Sequence, residues 1–246
     1  MKERPILFNA QMVKAILEDR KTKTRRVVRI QPPNDEGIYE LMRATGGGKK
    51  IIDKFHWIKE ECILANTPYF SCPYGSVGDR LWVRETWKLV PETACRIFNC
   101  VCQIINPSNP HEAVIYKCGL ERERGNGNWR PSIFMPRWAS RILLEITDIK
   151  VERLQDITEE DAKREGMPDE YPIAPVYCPN CQGQGTCGAV HPVSLGYMEI
   201  DCPECDTAKK KFKNLWDSIN GRGKKPGKAW DDNPWVWVVE FRRVGE

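Results

Sequence analysis

What the chain lacks narrows it first. No apolar run approaches the roughly 18 residues of a membrane-spanning helix, so no membrane partner is expected. The opening Met1-Lys2-Glu3-Arg4-Pro5 leads into Ile6-Leu7-Phe8 without the hydrophobic stretch of a signal peptide. That predicts a cytoplasmic protein. There are eleven cysteines, an odd number that cannot all pair. In a cytoplasmic chain they argue against a disulfide framework and for metal binding where the spacing fits. No internal repeat is visible. No single charge dominates either: the formal net charge is +4 in 246 residues. With 41% hydrophobic residues and nine tryptophans, the composition is that of a folded chain with a real core.

Charge placement says more than the total. Cations crowd into residues 20–29. They do so again at Lys209, Lys210, Lys211, Lys213, Arg222, Lys224, Lys225 and Lys228. Two basic stretches point to a polyanionic partner. For the second, lysines solvated along an exposed helix are an equally good reading.

Residues 4–8 read as a short first strand and 10–19 as a helix with Met12, Val13, Ile16 and Leu17 on one face. A strand is expected over 27–30, leaving 20–26 as a basic loop. Pro32-Pro33 and Gly46-Gly47-Gly48 mark loop. Gly78-Asp79 is a turn that opens a strand through Trp87, and residues 91–112 look like an excursion. Ala113–Tyr116 and Ile142–Leu154 are strand-like. Thr158 can cap a helix with an acidic first turn that Gly166 stops. Ala208–Ile219 reads as a basic amphipathic helix, and Trp235–Phe241 as the clearest strand. Many short strands with few helices predict a β-barrel or α+β fold, here one domain over 1–246 with an insertion at 170–207.

The insertion carries the clearest chemistry. Cys178-Pro-Asn-Cys181 and Cys202-Pro-Glu-Cys205 are two C-x2-C pairs separated by 20 residues. Each pair aims two sulfurs at one ion, and four thiolates close a tetrahedral zinc site with no open position. Such a site is structural. Cys187 and His191 lie within the intervening loop and are alternative ligands. Cys95, Cys100, Cys102, His111 and Cys118 form a looser set, better read as free thiols, as are Cys62 and Cys72.

The run Arg20-Lys21-Thr22-Lys23-Thr24-Arg25-Arg26 alternates cations with hydroxyls. A helix C-terminus alone accounts for Arg20 and Lys21. The remaining donors suit phosphate or base contacts. With Leu17-Glu18-Asp19 before it, this run resembles the G-R-K-T-x-T-x-R signature of ASCH domains, with Asp19 where that glycine is usual. Gly78-Asp79-Arg80-Leu81-Trp82-Val83 resembles the family's G-D-x-L-x-V strand. Residues 157–166 resemble its helix, and 235–241 its last strand. The four blocks cover about half the chain. Longer phage-encoded ASCH proteins share the Arg4-Pro5-Ile6-Leu7-Phe8 start and the segment from Leu81 to Trp87, which would place the protein in a host cytoplasm.

The resemblance implies a PUA-like β-barrel flanked by short helices and tied to RNA or modified nucleosides, with DNA a further possibility. One small bacterial member is an amidohydrolase that removes the acetyl group from N4-acetylcytidine. Its catalytic lysine, threonine and glutamate match Lys21, Thr24 and Glu165. Other members are ribonucleases or RNA-binding modules, so the fold alone does not fix an activity. A threonine nucleophile needs a base, and Lys21 serves only when neutral. The neighbouring cations and burial would lower its pKa, while Glu165 would raise it. Arg20, Lys23, Arg25 and Arg26, with Arg84, Glu85 and Trp87 on the second block, are the expected nucleic-acid contacts. Trp82, Trp87, Trp129 and Trp138 are candidates to stack on a base, although core packing explains each of them as well.

Overall fold

The computed structural model describes residues 1–32, 39–45, 51–59, 70–92, 104–118, 129–168, 180–182, 184, 186–190, 197–221 and 227–245. Its strands are β1 (Glu3–Leu7), β2 (Lys23–Val27), β3 (Tyr39–Thr45), β4 (Ile51–Lys59), β5 (Arg80–Arg84) and β6 (Trp87–Pro91). They continue with β7 (Ile105–Asn106), β8 (Asn109–Tyr116), β9 (Leu143–Arg153), β10 (Thr186–Val190), β11 (Tyr197–Asp201) and β12 (Trp235–Arg243). Three α-helices are described: α1 (Ala10–Leu17), α2 (Glu159–Arg164) and α3 (Ala208–Asn220). The chain forms two compact units. One comprises Met1–Asp19, Pro73–Asp148 and Glu240–Glu246; the other comprises Arg20–Cys72 and Ile149–Val239.

The fold is mixed α and β, as expected. The expected closed barrel is absent among the described residues. The largest sheet has five strands in the open order β1-β5-β9-β12-β2, and the other strands form separate sheets β6-β8-β7, β3-β4 and β10-β11. As expected, the strand at Trp235 is interior, between β9 and β2.

In the first unit, β1 runs parallel to β5, and β9 runs antiparallel to β5. The Gly-Asp turn before β5 has a structural task. Asp79 accepts from Lys2 N (2.7 Å) and Arg4 Nη1 (2.8 Å), tying the turn to β1. Burial pushes its pKa up, but these hydrogen bonds outweigh it and hold the carboxyl below its usual range. Gly75, at φ +124, leaves no room for a side chain, because a Cβ there would lie 2.6 Å from the Arg4 guanidinium. Leu81, Trp82 and Val83 are all buried, so β5 is covered on both faces rather than on one. Pro107-Ser108 closes the β7–β8 hairpin inside the stretch read as an excursion.

Asp19 explains the missing glycine of the basic signature. It follows the C-cap of α1 at φ +55, the left-handed region that glycine favours and aspartate tolerates. In the second unit, β2 begins at Lys23, four residues earlier than the strand expected at 27. Most of the basic run is therefore strand rather than loop. Phe55 and Phe70 pack edge-on against Trp237 of β12, with ring centroids 5.0 and 5.9 Å away. Gln31 closes the end of β2, donating to Val28 O and Trp235 O while accepting from Trp235 N.

Candidate functional site: a buried charge network and a cysteine cluster

The basic run packs against helix α2 within the second unit. Thr158 caps this helix, its hydroxyl accepting from Asp161 N. Gly166, at φ +92, ends it just past Glu165. Backbone bonding brings the two segments together: Lys21 and Glu165 form a β-bridge, and Thr22 N donates to Arg164 O (2.9 Å). Arg20 Nη1 donates to Gly166 O (3.1 Å). The register places the Lys21 side chain, fully buried, directly on Glu165.

Three acceptors surround Lys21 Nζ: Glu165 Oε2 at 2.7 Å, Glu165 O at 2.7 Å and Lys23 O at 2.8 Å. An ammonium has three protons, and each has a partner. Glu165 also accepts from Arg25 Nη1 (3.3 Å). Arg25 Nη2 reaches Glu152 (2.5 Å) and Asp161 (3.1 Å), and Lys23 Nζ meets Asp161 (2.8 Å). Three cations thus face three carboxylates, Glu152, Asp161 and Glu165. Desolvation lowers the pKa of Lys21, against the opposing pull of Glu165. For Asp161, burial acts upward, but Lys23 and Arg25 outweigh it and hold the carboxyl low.

Of the three residues proposed as catalytic, Lys21 and Glu165 are in direct contact. Thr24 directly follows Lys23 on β2 and is completely buried, with its Oγ1 accepting from Arg26 Nη1 (2.8 Å). Lys23 and Arg25, expected as nucleic-acid contacts, are buried and paired with carboxylates, so their charge is spent inside the protein. Asp161 was legible only as part of an acidic first turn, and nothing in the sequence marked Glu152.

The other candidates belong to the first unit. Glu85 is buried and bidentate with Arg141, at 2.8 and 2.9 Å, and the Arg141 guanidinium lies 4.1 Å over the Tyr116 ring. Burial raises the Glu85 pKa despite that partner. Arg84 stacks on Trp82 at 4.6 Å. Trp87 is buried edge-on to Trp138 and has Arg130 over its ring. Glu85 and Trp87 are therefore part of the packed interior.

Three cysteines of the insertion converge. Cys181, Cys202 and Cys205 are buried with their sulfurs within 4.8 Å of one another, the closest pair 3.3 Å apart and not disulfide-bonded. Four sulfurs each about 2.3 Å from a tetrahedral zinc would be about 3.8 Å apart, so this set can hold a metal ion. Tight turns shape it: Gln184 N donates to Cys181 O, and Cys205 N to Cys202 O. Asn180 Nδ2 approaches Cys202 Sγ at 3.5 Å. Cys187 packs against the cluster. Cys178 and His191 lie outside the described residues, as do Cys62, Cys95, Cys100 and Cys102; Cys72 and Cys118 form no disulfide.

Three lysines of the second basic stretch are engaged by backbone carbonyls; of the three, Lys211 alone is buried and Lys210 is exposed. Lys209 Nζ donates to Gln155 O, Lys210 Nζ to Pro203 O, and the buried Lys211 Nζ to Pro168 O. Glu159 of α2 accepts from Ala208 N and Lys209 N, placing a carboxylate at the positive end of α3. Arg222, Lys224 and Lys225 lie outside the described residues.

A carboxylate held low in the fold stabilises it above the unfolded-state pKa, near 3.9 for aspartate, and loses that contribution as pH falls through the folded value. Asp161→Asn should therefore flatten the loss of stability below about pH 4 in denaturant titrations, while leaving the neutral-to-basic side of the profile unchanged in shape. No family model, curated protein or solved structure matches this chain, so its assignment rests on its own residues.

Proposed function

We propose that this protein is an ASCH-type, PUA-like hydrolase directed at a modified nucleoside or nucleic acid, acting on an N-acylated base such as N4-acylated cytidine. The observation that carries the reading is the contact between Lys21 and Glu165. These residues are 144 apart in sequence, and their side chains meet at 2.7 Å in a desolvated setting. In this scheme Thr24 Oγ attacks the acyl carbon and Lys21, in its neutral form, takes the hydroxyl proton. Desolvation favours that form. The C–N bond breaks as the proton taken up by Lys21 passes through Glu165 to the leaving amine, and water then hydrolyses the acyl-threonine, which restores the hydroxyl and releases the carboxylic acid. Arg26 holds Thr24 Oγ1 as an acceptor and so leaves the hydroxyl proton available to a base.

A second reading, a nucleic-acid-binding module without chemistry, is favoured by a different observation. With three acceptors around it, Lys21 Nζ is well suited to remain an ammonium, which has no lone pair. The two readings separate cleanly. Incubation with N4-acetylcytidine should give turnover that falls by about 100-fold or more in Thr24→Val, a variant that spares the ion network. Absence of wild-type turnover, together with salt-dependent binding of RNA or DNA, would establish the module instead.

We further propose that the cysteine cluster holds one structural zinc, with Cys178 completing the set by its C-x2-C spacing. Four thiolates leave no position for substrate, so the ion's task is to fix the segment that leads into α3. Purified protein should carry about one equivalent of zinc, and Cys202→Ser should lose the metal and lower the thermal midpoint. Protein that folds without zinc and ignores a chelator would contradict the site.

A further inference from the structure

Between β8 and β9 the segment Trp129-Arg130-Pro131-Ser132-Ile133-Phe134-Met135-Pro136-Arg137-Trp138 forms two successive single-turn 3-10 helices, Ser132–Phe134 and Arg137–Ala139. Its buried side is firmly held. Met135 and Ala139 are fully buried with Trp87, Val114 and Tyr116. Tyr116 donates its hydroxyl to Ala139 O (2.7 Å), and Glu85 N donates to Met135 Sδ (3.2 Å). Phe134 N and Met135 N close the first turn on Pro131 O and Ser132 O.

Its outer side is the reverse of what burial would favour. Phe134 is 71% exposed and Ile133 57% exposed, both held out by a rigid turn. Arg130 is exposed beside them, its guanidinium 5.1 Å over the Trp87 ring. Arg137 is exposed on the far side, paired with Glu3. From Trp129 to Leu144 the chain carries Arg130, Arg137 and Arg141 and no acidic residue. Arg137 is paired with Glu3 and Arg141 with Glu85, so Arg130 is the cation that flanks the exposed turn. An outward aromatic ring on a preorganised turn loses little entropy on contact, and Arg130 beside it favours an anionic partner.

Size identifies the partner. A stable protein–protein interface buries about 800 Å² on each side, far more apolar surface than two side chains offer. One Phe ring beside one Ile is the footprint of a single unpaired base, and the exposed Arg130, four residues earlier, supplies a cation for a neighbouring phosphate.

We propose that Phe134 is a stacking platform for one base of a single-stranded polynucleotide, with Arg130 contacting its backbone. This rests on the nucleic-acid reading above and adds a polymer-gripping surface separate from the Lys21–Glu165 contact.

Fluorescence anisotropy with a labelled single-stranded ten-nucleotide homopolymer of uridine or thymidine tests it. Phe134→Ala should weaken binding about 5- to 100-fold, while Phe134→Trp retains it. Arg130→Ala should reduce the salt dependence by about one counterion. Phe134 is exposed, so these variants will fold, and circular dichroism confirms that. Tight wild-type binding that Phe134→Ala leaves unchanged overturns the platform while the nucleic-acid reading stands. No wild-type binding to either strand overturns both. Capture of a folded protein partner through Phe134, without oligonucleotide binding, likewise overturns the proposal.

Discussion

A fully buried ammonium must be compensated where it sits. Removing Lys21 from water costs several kcal/mol unless its charge and all three protons find partners. That requirement organises the second unit around residues 20–26. It fixes Glu165 at the end of α2, and so requires a helix that stops there, which Thr158 and Gly166 supply. It recruits Arg25 to the other oxygen of Glu165, and Arg25 in turn requires Glu152 on β9 and Asp161 on α2. The alternating cations of the signature are thus answered residue by residue with acids that lie more than a hundred positions away.

A similar economy holds at the helix that follows the insertion. Three of the four lysines of α3 donate to backbone carbonyls, at Gln155, Pro203 and Pro168, and Glu159 occupies the helix's N-terminal amides. The helix that follows the cysteine cluster is thereby fastened to α2, the element that carries Glu165. A metal ion in the cluster would stiffen the segment entering α3 without taking part in chemistry.

Periodicity and caps made α1, α2 and α3 legible in the sequence, while β12 was legible as an unbroken apolar run, buried from Val236 to Val239. It failed at β2. Lys23, Thr24 and Arg25 look like loop residues, since charged and hydroxyl side chains rarely form the interior of a strand. Only the distant carboxylates make that burial tolerable, and no local pattern announces them. Many short strands are compatible with either a barrel or an open α+β sheet; the family resemblance favours the barrel, and the strand order among the described residues is the open one. Asp19 was noticed as a departure from a glycine, and its positive φ shows why glycine suits the position. The cysteine spacing was readable because turn geometry and metal chemistry are both local. Glu85 and Trp87 have the chemistry of nucleic-acid contacts, yet Glu85 is paired with Arg141 and the Trp87 ring is packed against Trp138 within the interior.

The most direct test of the central constraint is a double-mutant cycle on Lys21→Met and Glu165→Leu, read by urea denaturation with the wild type and the two single variants. If the buried pair organises this unit, each single change strands a charge, and the double change recovers part of the loss. The coupling should then be about 1–3 kcal/mol. Additive effects within about 0.5 kcal/mol would show that the two side chains act independently and would contradict the account.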